Sequence, residues 1–255
     1  WRASEEEFIK SLNIFSNLKI RASYGQTGNQ AIGAYATRDY LTVANYPING
    51  ALASGFANLT WRGPANPDLK WETTTQYNAG IDMGFFENRV NFTVDVYYKK
   101  TSDLLQNIQI PQSTGFSNMT TNFGDVINKG LEITGKFYPI SGKKFKWDFD
   151  ANISFNRNKI EGLPGDQFAQ SWSDADAVFI QRNGMPIGTI FGYVEDGFYD
   201  NIAEVRADPF YANESEAVCK SMIGEVKYKD LDGKPGITDA DRQIIGDANP
   251  DFTFG

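Results

Sequence analysis

Histidine is absent from these 255 residues, and cysteine occurs once, at Cys219. Without histidine the chain lacks the side chain that titrates near neutrality and serves as the commonest metal ligand. A usual zinc site cannot be assembled from one cysteine and no histidine, and a lone cysteine closes no internal disulfide. An excess of positive charge is also missing: 24 Lys and Arg stand against 32 Asp and Glu, a formal net charge of −8. Nucleic-acid binding wants a basic face, so nucleic acid is not an expected partner. No apolar run approaches the ~20 residues that a membrane-spanning helix requires. That excludes a helical membrane protein but not a transmembrane barrel, whose lumen-facing residues halve the apolar signal. No secretory leader opens the chain. It begins at Trp1-Arg2-Ala3-Ser4 and stops inside what reads as a new strand at Phe252-Thr253-Phe254-Gly255. The expectation is a piece of something longer.

What the sequence has is aromatics, 14% of the chain, and one long alternation. From Thr75 to Leu105 the residues read apolar, polar, apolar, polar, reverse at Glu87-Asn88-Arg89, and resume. Tyr77, Ala79, Ile81, Met83 and Phe85 share one face of the first arm, opposed by Gln76, Asn78, Gly80, Asp82 and Gly84. Val90, Phe92, Val94, Val96 and Tyr98 share one face of the second, opposed by Asn91, Thr93, Asp95, Tyr97 and Lys99. Period two over such lengths predicts a strand pair with a dry face and a wet face. Each arm exceeds the usual strand of about 5–6 residues and meets the roughly 9–11 that a tilted membrane strand needs.

The same pattern recurs. Strands are expected over about 17–25, 74–86, 90–105, 123–138 and 145–160, with a second hairpin turning at Pro139 to Lys144. Residues 4–16 suggest a short helical turn with Ser4 as N-cap and Glu7 three residues on, and 188–200 a Gly-punctuated strand. Residues 201–221 read as acidic and helical. Segments 26–73, 106–122 and 157–250 lack sustained periodicity and read as long loops, so short turns alternate with long connections. Outer-membrane barrels do this, with short periplasmic turns and long external loops. Periodicity alone leaves two readings open: a dry face against lipid, or the dry faces of a soluble β-rich carbohydrate-binding or adhesin module packed on each other.

Candidate sites are few. Residues 230–241 have the twelve-residue outline of a calcium loop, with oxygen donors at loop positions 1 (Asp230), 3 (Asp232), 9 (Thr238) and 12 (Asp241). Lys234 at position 5 and Pro235 at position 6 depart from that pattern, and Asp241 reaches less far than the usual Glu. Calcium is the one cofactor the sequence suggests. Trp61 and Trp172 in loops, and Tyr193 in the Gly-rich segment, are candidates to stack on a substrate ring. The pairs Asp148/Asp150 and Asp174/Asp176 have catalytic-looking carboxylates, but a wet wall explains them without chemistry, and no enzyme activity is expected.

Several blocks together resemble the SusC/RagA family of TonB-dependent outer-membrane transporters. They are LKIRASYGQTGNQ (18–30), NPDLKWETT (66–74) leading into QYNAGID (76–82), DVYYKKTSDLL (95–105), NKGLE (128–132), and GEVKYKDLDG (224–233) closed by Ile245-Gly246 and Asn249-Pro250-Asp251-Phe252. The resemblance covers nearly the whole chain, in family order. It implies an all-β fold, antiparallel strands from a transmembrane barrel of about 22 strands, with 1–255 a partial barrel domain lacking the N-terminal plug. It further implies import of glycans or peptides in the outer membrane of a Gram-negative bacterium. The implied partners are a SusD-like surface lipoprotein, TonB through an absent N-terminal part, the substrate, and membrane lipid. The family often carries a fuller acidic version of the 230–241 loop. On this footing the turn at Glu87-Asn88-Arg89 points to the periplasm, and Gln76, Asn78, Asp82, Asn91, Thr93 and Asp95 become lumen wall.

Overall fold

A computed structural model describes residues 1–30, 32, 36–39, 41–58, 63–170 and 178–255. In chain order the strands are β1 (Phe15–Asn29), β2 (Leu41–Ile48), β3 (Ala51–Asn58), β4 (Glu72–Phe85), β5 (Val90–Ser102), β6 (Leu105–Gln109), β7 (Asn118–Asn122) and β8 (Asp125–Ser141). They continue with β9 (Lys146–Glu161), β10 (Gln167–Gln170), β11 (Val178–Gln181), β12 (Thr189–Gly192), β13 (Glu195–Phe198), β14 (Val226–Tyr228), β15 (Gln243–Asp247) and β16 (Thr253–Phe254). Among the described residues three short α-helices accompany them: α1 (Glu7–Lys10), α2 (Ile202–Ala207) and α3 (Glu216–Ser221). The chain divides into two compact units, one of Trp1–Pro164 with Pro250–Gly255, the other Gly165–Asn249.

The first unit is built on one antiparallel six-stranded sheet in the order β1-β4-β5-β8-β9-β16. Its main strands are 13 to 17 residues long, beyond the span of a bilayer. β4 and β5 pair without a slip from Thr73↔Ser102 to Phe85↔Val90. That register puts apolar opposite apolar in every second row, for example Ile20–Ile81–Val94–Ile133–Ile153. A slip of one residue would invert every row, so the alternation of the sequence specifies the pairing.

The tight turn after β4 covers Phe86–Arg89, with Phe86, Glu87 and Asn88 all at positive φ. Such backbone matches the right-handed twist of a hairpin but is costly for Phe and Glu, which carry a Cβ. The second hairpin differs from expectation. β8 runs on through Pro139 to Ser141, and the register shifts between Phe137 and Ile140. Proline donates no hydrogen bond, so it sits at a bulge and not in the turn itself. Strand β5 stops at Ser102, not 105, because Asp103 turns left-handed (φ 58) before β6 begins.

The segments expected as loops hold further pairing: β2 with β3 and β6 with β7. At the N-terminus Ser4 caps nothing. Residues Ala3–Glu5 form a 3-10 turn and α1 follows from Glu6, neither with a side-chain cap. The buried cluster of this unit is small, Val126, Ile160 and Leu163 with Leu104 and Phe123 against it.

The second unit, expected as one long connection holding a strand over 188–200 and a helix over 201–221, is a small folded body. It holds a four-stranded sheet, β10-β11-β12-β15, and the pair β13-β14. Ile180, Val205 and Cys219 are fully buried, and Tyr199 nearly so. Helices of six residues are unstable alone. Here Asn201 Oδ1 accepts from Glu204 N at 3.0 Å to cap α2, and Val205 and Cys219 bury the inner faces of α2 and α3 against Tyr199.

Candidate functional site

The six-stranded sheet has two unlike faces. One is aliphatic along its middle and leaves large apolar side chains uncovered: Ile20 is 41% exposed, Val96 47%, Tyr77 53% and Tyr24 64%. Aromatic rings bound it at both ends. Toward the tight turns, Phe85 lies 5.3 Å from Phe15, Phe92 5.6 Å from Phe137, and Phe137 stacks on Phe149 at 4.6 Å. Toward the other end, Tyr77 stands between Tyr24 (5.0 Å) and Tyr98 (6.4 Å). Tyr77 and Phe85 are eight positions apart on one strand, about 26 Å. At a strand tilt near 40° this corresponds to about 20 Å of height, close to the apolar band of a barrel between its aromatic girdles.

The other face is polar and bonded to itself. Arg21 donates from Nε and Nη2 to both oxygens of Asp82, each at 3.0 Å, and from Nη2 to Asp95 Oδ2 at 3.0 Å. Thr93 donates to Asp82 Oδ1 at 3.2 Å. Gly80 is the residue opposite Arg21, and a Cβ there would collide with Asp95 Oδ1 and the guanidinium. The glycine makes room for the network. Tyr97 lays its ring over Gly130 and donates to Asn156 Oδ1 at 3.1 Å. Sequence reasoning placed Asp82 and Asp95 on this face but missed that Arg21 joins them. The signal was Arg21 on the polar side of its own alternation, and only the β1–β4 register turns it into a contact. Asp150 of the suspected Asp148/Asp150 pair faces Lys136 at 4.0 Å, an ordinary exposed ion pair. Asp174 and Asp176 lie outside the described residues.

In the second unit the structure brings Asp230, Asp232 and Asp241 together, with one carboxylate oxygen of each within 4.8 Å of the others. Asp241 is fully buried. Its Oδ1 accepts from Leu231 N (2.8 Å) and Asp232 N (3.2 Å), and its Oδ2 from Thr238 N (2.7 Å) and Thr238 Oγ1 (3.2 Å). Thr238 in turn accepts from Ala240 N, which completes a capping box on the 3-10 turn Asp239–Asp241. The backbone N–H of Thr238, then those of Leu231 and Asp232, hold the Asp241 carboxyl down at about 2. Lys234 Nζ lies 3.0 Å from Asp232 Oδ2, and Asp230 Oδ1 accepts from Gly233 N at 2.6 Å. A left-handed backbone falls at Gly233 and Gly236, the latter one place after the Gly of a calcium loop.

Tyr193 is half-buried, its ring 5.4 Å from that of Tyr228 and covered by the Arg242 guanidinium at 4.8 Å. Trp61 and Trp172 lie outside the described residues. Tyr199, missed by sequence reasoning, donates to Asp208 Oδ2 at 2.6 Å, and burial together with that carboxylate raises its pKa.

Residues 3–241 match the family described as TonB dependent receptor-like, beta-barrel. TonB-dependent receptor P3 of Formosa agariphila is 35% identical over 268 residues, covering 100% of this chain and 25% of the relative. TonB-dependent receptor SusC of Bacteroides thetaiotaomicron is 35% identical over 206 residues, covering 78% of this chain and 20% of the relative. Among solved structures, the RagAB peptide importer in its open-open state superposes with a TM-score of 0.71 at 26% identity, over 97% of this chain and 25% of that one. The chain therefore spans about a quarter of the length of the curated relatives it matches.

Proposed function

The chain belongs to the TonB-dependent receptor-like β-barrel family, and on that premise we propose that its long strands form part of the barrel wall of an outer-membrane importer. The observation that carries this reading is the uncovered aliphatic face of the six-stranded sheet, bounded by phenylalanines at one end and tyrosines at the other. Water tolerates scattered apolar residues but not a continuous patch of this kind, whereas lipid covers it at no cost. The polar face, held by Arg21, Asp82 and Asp95, is then lumen wall, and the short turns at Phe86–Arg89 and Gly142–Phe145 face the periplasm. The Gly165–Asn249 unit and the β2–β3 and β6–β7 pairs stand outside the cell.

In this reading the cargo is a glycan or a peptide, the partners are TonB and a SusD-like lipoprotein, and no catalysis is assigned. Tyr193, with Trp61 and Trp172, is a candidate for the substrate chamber. The calcium expectation for Asp230, Asp232, Thr238 and Asp241 is set aside. Calcium takes 6–8 oxygens, yet both Asp241 oxygens are engaged by N–H and O–H donors, and Lys234 supplies a positive charge at Asp232. As arranged, these groups bond the loop to itself, and no calcium is assigned to them.

Cysteine labelling tests the topology. With native Cys219 buried, a membrane-impermeant maleimide added to intact cells is expected to label Lys234→Cys of the complete receptor and to leave Arg89→Cys unlabelled. The reverse pattern sinks the orientation, and equal labelling of both means that the sheet does not cross a membrane. Growth of a deletion strain on glycans against peptides then identifies the cargo class.

A further inference from the structure

At the tyrosine end of the aliphatic face, four cations point the same way as the tyrosines: Lys100, Lys129, Arg157 and Lys159. Their common face follows from register, since Lys129 is paired with Tyr98 on one side and Arg157 on the other, and Lys100 and Lys159 lie two positions along. Three are neutralised within the chain. Lys100 binds Asp125 at 2.7 Å, Arg157 binds Asp251 at 2.9 Å, and Lys159 binds Glu161. Lys129 is exposed, and among the described residues it has no ion-pair or hydrogen-bond partner.

Lys129 stands at one margin of a shallow depression of about 680 Å³ in this face, open along most of its rim. Along the middle of the sheet the outward residues are large aliphatics, but in the row next to the tyrosines Ala22 pairs with Ala79. The two small side chains floor a notch walled by Tyr24, Tyr77 and Tyr98. An apolar trough ending in one unneutralised ammonium has the shape and charge of a lipid with an anionic head. Its floor accepts hydrocarbon, tyrosine hydroxyls line the boundary with water, and the cation is left without an in-chain carboxylate where its three neighbours each have one.

We propose that this groove binds a phosphate-bearing lipid of the outer leaflet, one acyl chain over Ala22 and Ala79 and a phosphate oxygen paired with Lys129. The proposal rests on the reading of this face as lipid-facing. Basic residues at a membrane surface attract anionic head groups, and here a single lysine does so from a fixed position beside a chain-sized notch. Contact between Lys129 and the phosphate leaves Arg157 and Lys100 in their existing pairs, so the site needs no rearrangement of the wall.

The test uses the complete receptor purified in detergent and titrated with lipid A, or with lipid A stripped of phosphate, the bound lipid being read by native mass spectrometry. Wild type and Lys129→Arg are expected to prefer the phosphorylated lipid, and Lys129→Gln to bind it about fivefold more weakly and no better than the stripped form. Ala79→Leu, which fills the notch and keeps the charge, is expected to weaken both lipids together. A wild type indifferent to the phosphate, or a Lys129→Gln protein that still discriminates, overturns the proposal. A receptor recovered without detergent from the soluble fraction overturns instead the lipid-facing reading beneath it.

Discussion

The six-stranded sheet and the Gly165–Asn249 unit dispose their apolar side chains in opposite ways. In the smaller unit, apolar side chains turn inward: Ile180, Val205 and Cys219 have no exposure at all, although the strands around them are only three to five residues long. In the sheet, strands of 13 to 17 residues leave much of their aliphatic face open, with Ile20, Val96 and Tyr77 all exposed, while the polar side is bonded to itself through Arg21, Asp82 and Asp95. Strand length is therefore not what makes a core here. The smaller unit is stabilised by burial from water, with Asp241 and Thr189 as its buried polar groups. The sheet relies on backbone ladders and on the Arg21–Asp82–Asp95 network of its polar face, and among the described residues much of its apolar surface is uncovered.

The sharpest way to separate the two regions is to delete the same atoms in each. Ile180→Ala is expected to cost about 2–5 kcal/mol, because it opens a cavity that a packed surround fills only in part. Ile20→Ala, on the open face, loses transfer free energy alone, at most about 2 kcal/mol, since lipid chains follow the new surface. Proteolysis of the smaller unit and urea unfolding of the vesicle-inserted receptor measure the two losses. Equal losses would mean that protein packs against Ile20 and would break the contrast.

Insertion of a charge probes the solvent directly. Val94 sits midway between the phenylalanine and tyrosine ends of the face, and Val94→Arg is expected to destabilise the vesicle-inserted receptor by about 2–4 kcal/mol, the cost of a cation near a bilayer midplane. Phe198→Arg, at a residue 53% exposed in the smaller unit, is expected to stay within about 0.5 kcal/mol. If Val94→Arg were as mild as Phe198→Arg, the face would be wet.

The two regions also differ in how much of them the sequence makes legible. Long alternations such as 76–85 and 90–98 specify face and register at once, because one residue of slip puts Ile81 and Val94 on the wrong side. The sheet was readable for that reason. Short elements carry no such redundancy. Four residues of β11 or β12 give two inward positions each, and a helix as short as α2 depends on Asn201 and Val205 more than on any period. Residues 165–249 thus read mostly as loop, although the strand expected at 188–200 and the helix expected at 201–221 fall where β12, β13, α2 and α3 lie. The Arg21–Asp82–Asp95 network needed partners 61 and 74 residues apart in sequence, which only register supplies. At 230–241 the spacing was legible, since Asp230, Asp232 and Asp241 do come together, but the backbone N–H groups that bond Asp241 were not.

That loop gives the smallest expected effect and a signed one. The Asp241 carboxyl titrates at about 2 in the folded unit against an ordinary 3.8. A depressed folded pKa contributes stability that is fully present above the unfolded value and is lost as pH falls from about 4 through about 2. Global unfolding is the wrong readout, because Arg182 also holds Asp166 below the usual carboxylate range, and the two would melt together. Amide exchange at Leu231, Asp232 and Thr238, whose N–H groups bond Asp241 directly, isolates it. Protection at these amides is expected to fall across that window and to be unchanged by a chelator at neutral pH. Asp241→Asn sets an amide nitrogen against donors on one side, so it should lower protection at neutral pH and flatten the acid response. Protection that collapses with chelator at pH 7 would return the loop to calcium and give the smaller unit a stabilising ion that the sheet does not need.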